Sequence, residues 1–500
     1  MKSVVMIHTI ASVLALAMVS GNALAQTPQE AAASHWRAMA ETDGDFALQL
    51  IEDNHPGAVV AVGDTDFRNQ LATARRHFAE RLPLVESFEG YSALMAGMAA
   101  DFRDGHIWSR ATTQPGNVGW TGIILTRRNG TWMVGSQAAT AGYPDLAGAR
   151  LESCDGEAAE SWATNRIDLF RADAGIEAQR ASHASWLLLD QKNPFLKRPE
   201  TCDFTSPDGQ RHTITLRWKR DSPEVVGRAI EATETRADIG LSVEQTGEGY
   251  WINLGTLGNG AAALATEVEN RAEAMRAAPW VVIDLRGNGG GNSTLSDRII
   301  KALVGDERVA ATRSVPTCSG DFFRASSDNV SALREWQGRI RTDRGEEGAR
   351  EWSEMVDNIE HARQEGQDFW PALPVCAQEE GQARAVTQTA PDKLPASLMK
   401  GRLVAVTDRA CFSSCLMAID RLRRVGAEHV GEATNVSTRY MEVRTVTLPS
   451  GLRNFSTLMK LALGAGDFGP YVPQRVFDGT MSDTPAVRAW VIDDVIGTPQ

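Results

Sequence analysis

Beyond its first 25 residues the sequence has no uninterrupted apolar run of the about 18 residues that a bilayer-spanning helix needs. No membrane span is therefore expected in the mature chain. A basic run is also missing: 51 Lys and Arg stand against 64 Asp and Glu, a formal charge of −13. That balance argues against a nucleic-acid partner and leaves no polybasic face for anionic lipid. There is no internal repeat and no low-complexity segment. The glycine-rich "GNGGGN" at 287–292 is not a P-loop, because no Gly-Lys-Ser/Thr follows, and its G-x-G-x-x-G fails at Asn292. Cys411-x-x-x-Cys415 lacks the second close Cys or His pair that a tetrahedral zinc site would need, so no metal is expected.

What is present at the start is a processing signal. Lys2 precedes the apolar "VVMIHTIASVLALAMV", and Ala23-Leu24-Ala25 forms a small-x-small cleavage site before Gln26. Residues 1–25 read as a signal peptide, so the product is expected to be periplasmic or secreted, cleaved near Ala25. Removing 25 of 500 residues leaves 475, enough for two or three domains. Loss of Lys2 takes the charge from −13 to −14. The six cysteines suit an oxidising compartment and up to three disulfides, with fifteen pairings open. Proximity along the chain favours Cys154–Cys202, Cys318–Cys376 and Cys411–Cys415. At helical i,i+4 spacing the last pair would hold its Cβ atoms too far apart, so a turn must bring them together.

Residues 26–112 read as a helical region. Leu71, Phe78 and Leu82 mark one amphipathic segment, and Tyr91, Leu94, Met95, Met98 and Phe102 another, with Gly105 as its expected terminator. Residues 113–235 change to short alternating strands, with hairpin turns at Asn129-Gly130, Asp155-Gly156 and Asp208-Gly209 and a helical stretch near 157–190. From 236 to 490 strands and helices alternate, which predicts an α/β core with a parallel or mixed sheet. Residues 305–400 read as a helical insertion into it.

Two strand ends carry candidate chemistry. "VVIDLRGNGGGN" (281–292) runs a buried strand into a turn whose glycines let backbone N–H groups approach a ligand closely. In "VTDRACFSSCLMAIDRLRR" (406–424), Ser413 and Ser414 stand at a helix N-terminus. A serine there serves commonly as an N-cap. A nucleophile needs the same place, since free N–H groups and the positive helix end stabilise an oxyanion.

Together, "VVIDLRGNGGG" and, about 120 residues later, "VAVTDRACFSSC…VGEAT" resemble the paired signatures of the tail-specific and tricorn-type serine peptidases. "DLAGARLESCDGEA" is similar to a strand–turn of the PDZ-like module common in that family. The resemblance implies a crotonase/ClpP-like α/β core, with an N-terminal helical region and a PDZ-like β-rich module. It implies Ser413 as nucleophile, with the N–H groups of Gly290 and Ser414 as oxyanion hole. One branch of the family takes a lysine base from the segment after V-G-E-x-T. Here that segment is "NVSTRYMEVR", with Ser437 near the lysine position, and Arg439 cannot replace it because guanidinium keeps its proton. The other branch takes a histidine from a D-x-H element, which "DFRDGHIWS" resembles. His106 is thus the expected base, with His55 in "DNHPG" as runner-up. Asp104, Glu442 and Asp467 are candidates for the acid that orients it.

The implied activity is serine endopeptidase action on a peptide or protein substrate, with no metal or organic cofactor. Two other classes remain open. One is a peptide-binding protein of the same fold without activity; the other is an esterase or acyl hydrolase using the same serine.

Overall fold

The structure is a computed structural model and describes residues 28–113, 116–233, 236–312, 318–377 and 394–497. The expected signal peptide lies outside the described residues. Among the described residues no helix is long and apolar enough to cross a membrane.

The uninterrupted apolar strand "WVVID" reflects a sheet covered on both faces. Trp280–Asp284 sits third in a six-stranded sheet ordered Leu241–Thr246, Gly249–Leu254, Trp280–Asp284, Arg402–Thr407, Glu428–Gly431 and Arg475–Val476. The first pair is antiparallel and the rest run parallel. Successive side chains alternate between faces. Ile252, Val281, Ile283 and Ala405 pack against the helices Ala261–Ala277, Ser293–Val304 and Ser414–Arg424. Trp251, Val282, Val404, Val406 and Val430 face the C-terminal helix Thr484–Trp490 and the turns after it. The result is the three-layer helix–sheet–helix core that alternating elements predict. Its register sets Asp284 opposite Val406, so the glycine-rich turn and the serine turn leave the sheet side by side at the carboxyl ends of parallel strands, the usual place for a site in such sheets.

The N-terminal helices are Pro28–Asn54, Thr65–Arg81 and Phe88–Ala100. Tyr91, Leu94, Met95, Met98 and Phe102 are all buried, as their spacing predicts. The third helix ends earlier than the sequence suggested. Asp101 is its C-cap, and residues 101–107 form an irregular turn with Arg103 at φ 50°. Gly105 has a different duty: a Cβ there would lie 3.0 Å from Cζ of Phe412. The glycine leaves room for the aromatic ring that precedes Ser413.

The three disulfides are Cys154–Cys202, Cys318–Cys376 and Cys411–Cys415. Residues 116–233 form two further sheets: one of six strands, in which Ile123–Arg128 and Thr131–Gln137 make the hairpin expected at Asn129-Gly130, and one of three, Lys219–Asp221, Val118–Trp120 and Leu189–Asp190. The segment 305–400 is tied in more closely than an insertion need be. Its helices Ser327–Gly348 and Arg350–Gln364 pair with each other, but its strands Gly320–Arg324 and Phe369–Trp370 join a fourth sheet. The spine of that sheet is Arg453–Leu463, paired with Tyr440–Thr447 on one side and with Ser109–Ala111 from the helical region on the other. The hairpin 440–463 thus clamps the segment carrying His106 onto the core.

Candidate active site

The serine turn is held in a conformation that L-residues rarely adopt. Ser413 has φ 56° and ψ −127°, outside the helix that starts at Ser414, and its side chain makes no cap hydrogen bond. Such a backbone costs on the order of 1–3 kcal/mol and persists only where the surroundings impose it. The surroundings here are specific. Cys411 and Cys415, both fully buried, bond across the turn and enclose Phe412, Ser413 and Ser414 in one ring. The Phe412 N–H donates to the Asn288 carbonyl at 3.2 Å, and the Ser414 hydroxyl donates to the Gly291 carbonyl at 2.6 Å. Ser414 is therefore engaged, and the N-cap position belongs to a serine whose oxygen is not capping.

The glycine-rich turn is equally fixed. Arg286 and Asp284 are fully buried and paired at 2.7 Å, and Arg286 also donates to the Met481 carbonyl at 2.6 Å. The Asp and Arg of "DLRGN" therefore lock the strand end. Asp408 joins the two turns: one carboxylate oxygen accepts the Gly287 N–H at 2.9 Å and the other the Ala410 N–H at 3.0 Å. Burial, reinforced by the Glu432 charge, pushes the Asp408 carboxyl up to about 6. Gly290 has φ 102°, and a Cβ there would stand 2.8 Å from Ser413 Cβ and 3.0 Å from the Ser414 nitrogen. The two turns meet at Gly290 and Ser413. The Gly290 N–H donates to Asn288 Oδ1 at 2.8 Å, while Asn288 Nδ2 is tied to the Leu254 carbonyl at 2.7 Å.

The third component comes from the helical region. His106 is 7 % exposed and its ring lies 4.4 Å, centroid to centroid, from that of Phe412, the residue before Ser413. Its Nδ1 is 3.1 Å from Asp104 Oδ1, which also accepts the His106 main-chain N–H at 2.8 Å. The other Asp104 oxygen accepts the Thr438 hydroxyl at 2.5 Å. Burial pushes Asp104 up, but the hydrogen bond and charge of His106, with the Thr438 hydroxyl and the His106 amide, outweigh it and hold the carboxyl below its ordinary value. On the other side, Ser456 Oγ donates to the His106 carbonyl at 2.6 Å and accepts the Trp108 N–H at 2.9 Å.

The remaining sequence candidates are placed elsewhere or less directly. His55 Nδ1 accepts the Gly57 N–H at 3.0 Å, and its ring stacks 4.0 Å from Phe67. Burial pulls it down to about 3, so it stays neutral within its aromatic surroundings. Glu442 pairs with Lys460 at 3.4 Å. Asp467 shares the lining of a cavity of ≈ 550 Å³ with Asp104 and Thr438. Ser437, near the lysine position of the other branch, is buried and paired through its backbone with Phe468. Thr438 was missed in the sequence. Its only signal was the absence of lysine from its segment, which left open what that segment does instead.

Residues 252–460 match the family model described as peptidase family S41. No protein of curated function matches the sequence. Among solved structures, mature CPAF superposes with a TM-score of 0.56 at 11 % identity, covering 93 % of this chain and 98 % of that one. Mature CPAF complexed with lactacystin gives a TM-score of 0.56 at 12 % identity, over 93 % and 99 % of the two chains. At identities this low the likeness speaks for the fold.

Proposed function

From the match of residues 252–460 to the model of peptidase family S41, we propose that this chain is an exported serine endopeptidase of that family with a histidine base. Ser413 Oγ attacks the scissile carbonyl, and His106 takes its proton and returns it to the leaving amine. Water then resolves the acyl-enzyme. Asp104, held anionic, accepts from Nδ1–H and leaves Nε2 as the basic nitrogen. Its other oxygen is occupied by Thr438, so the carboxylate is fixed as well as charged.

The Ser414 and Gly290 N–H groups are the proposed oxyanion donors. Gly290 must release Asn288 Oδ1 to play that part, so the turn as it stands is a resting arrangement. That occupied amide favours one second reading, a peptide-binding protein of this fold without turnover. An esterase using the same serine remains the other alternative. The module at 113–235 is proposed to act as a PDZ-like unit that takes an extended peptide by strand addition to a sheet edge.

The observation that carries the proposal is the Asp104–His106 pair standing against Phe412, beside a serine in a strained, uncapped turn. The test is release of new amino termini from an unfolded protein. Cleavage that disappears in Ser413→Ala supports an endopeptidase. Ester turnover without peptide cleavage would transfer the site to the esterase reading, and no turnover of either would leave the binding protein.

A further inference from the structure

A cavity of ≈ 410 Å³ lies away from the serine turn, between the helix Phe88–Ala100 and the segment 183–199. Its size falls within the roughly 300–1,000 Å³ of small-molecule sites. The walls are largely apolar, with Phe88, Phe170, Trp186, Leu189 and Trp218 among them. The charge on this wall runs against that of the whole chain. Seven Arg and Lys side chains line the cavity against two carboxylates, Glu89 and Asp190, in a protein of net charge −13. Both carboxylates are already used, Glu89 by Lys192 at 3.1 Å and Asp190 by Arg198 at 3.2 Å.

Four of the cations hydrogen-bond to neutral groups only, among the described residues, with the Asp43 charge acting on Arg453 and those of Glu157 and Asp155 on Arg166 at longer range. Arg453 donates to Ser109 Oγ and the Ser109 carbonyl, Arg171 to Gln191 Oε1, Arg166 to main-chain carbonyls and Arg220 to the Asn117 carbonyl. Arg453 is 6 % exposed. Burial pulls Arg453 down to about 10, and burial with the neighbouring Arg453 charge does the same to Arg171, so both remain cations at neutral pH. His183 also lines the cavity, with its Nδ1 buried away from it. Burying a charge without a counter-ion in contact is costly. A bound anion would relieve that cost.

We infer that this cleft binds a small amphipathic carboxylate, whose head meets Arg171 and Arg453 and whose hydrocarbon body lies on Trp186, Leu189 and Trp218. A peptide main chain suits the cleft less well, because each residue would bring an N–H and a C=O to walls that are mostly apolar. The inference is independent of the Ser413 chemistry.

The test titrates the full mature protein with decanoate below its micelle concentration, read by the fluorescence of the lining tryptophans and by calorimetry. Decanol, decylamine and a short apolar peptide with a free carboxylate are the comparators. Saturable one-to-one binding of decanoate is expected, with decanol and decylamine at least tenfold weaker. Arg171→Gln, and separately the exposed Arg220→Gln, should weaken decanoate binding while fluorophosphonate labelling of Ser413 stays at the wild-type rate. Equal binding of decanol, binding of the peptide alone, or wild-type decanoate affinity in both folded variants would overturn the inference.

Discussion

Asp104 Oδ1 accepts both the main-chain N–H and the Nδ1–H of His106, at 2.8 and 3.1 Å. A carboxylate two residues before the histidine thus fixes the ring and the turn that presents it. Asp104→Asn keeps the shape but offers an amide that can also donate, which allows the wrong tautomer. The expected loss in kcat is on the order of 10²–10⁴, with KM little changed. Thr438→Val removes only the hydroxyl that steadies the carboxylate, so its loss should be smaller. Steady-state kinetics on one peptide substrate orders the two.

The Cys411–Cys415 bond should matter more to rate than to folding. A loop this short contributes about 2 kcal/mol by closure entropy, whereas the ring it closes holds Ser413 at φ 56°. The double variant Cys411→Ala/Cys415→Ala is expected to stay folded by circular dichroism and to lose at least tenfold in kcat. Unchanged kcat would show that Asn288 and Gly291 alone hold the turn.

Gly290 is required on two counts, a positive φ and the space beside Ser413. Gly290→Ala puts a methyl against Ser413 Cβ and the Ser414 nitrogen, and should cost on the order of 10²–10³ in kcat. Gly289 is exposed, and the only atom near a Cβ placed there is Nη2 of the exposed Arg236 side chain at 3.1 Å, which donates to the Gly287 carbonyl. Gly289→Ala is the control and should stay near wild type.

Asp408 gives a pH signature. Its folded value, about 6, lies above the 3.8 of an ordinary aspartate. The unfolded chain therefore loses this proton first, and the stability that the protonated carboxyl contributes falls as pH rises from about 4 to about 6. The slope approaches 1.4 kcal/mol per pH unit inside that window. Asp408→Asn cannot titrate, but its NH₂ must face one of the two N–H groups the carboxylate accepts. The variant should be less stable than wild type near pH 4, by a gap that narrows as pH rises to about 6, because only the wild type loses stability in that window. Parallel melting curves from pH 4 to 7 check this.

The core strands and the two turns were legible in the sequence because each is local: an apolar run, glycines at a strand end, serines before an amphipathic helix. The hairpin turns at 129–130 and 208–209 were legible for the same reason. What sequence did not reveal was contact over distance. Thr438 reaches Asp104 across 334 residues, and Ser456 reaches the His106 carbonyl across 350. Both depend on the pairing of Arg453–Leu463 with Ser109–Ala111, and nothing in either short segment encodes its partner. Gly105 misled for a related reason. A glycine after a helix signals a cap, but this one makes room for Phe412, 307 positions on.

The most direct measurement is the site and rate of fluorophosphonate modification, read by peptide mass mapping. The account predicts a single adduct on Ser413, formed on the order of 10³ times more slowly in His106→Ala and unaffected in rate order by His55→Ala in the folded protein. An adduct on Ser414 or any other serine, or an unchanged rate in His106→Ala, would contradict it.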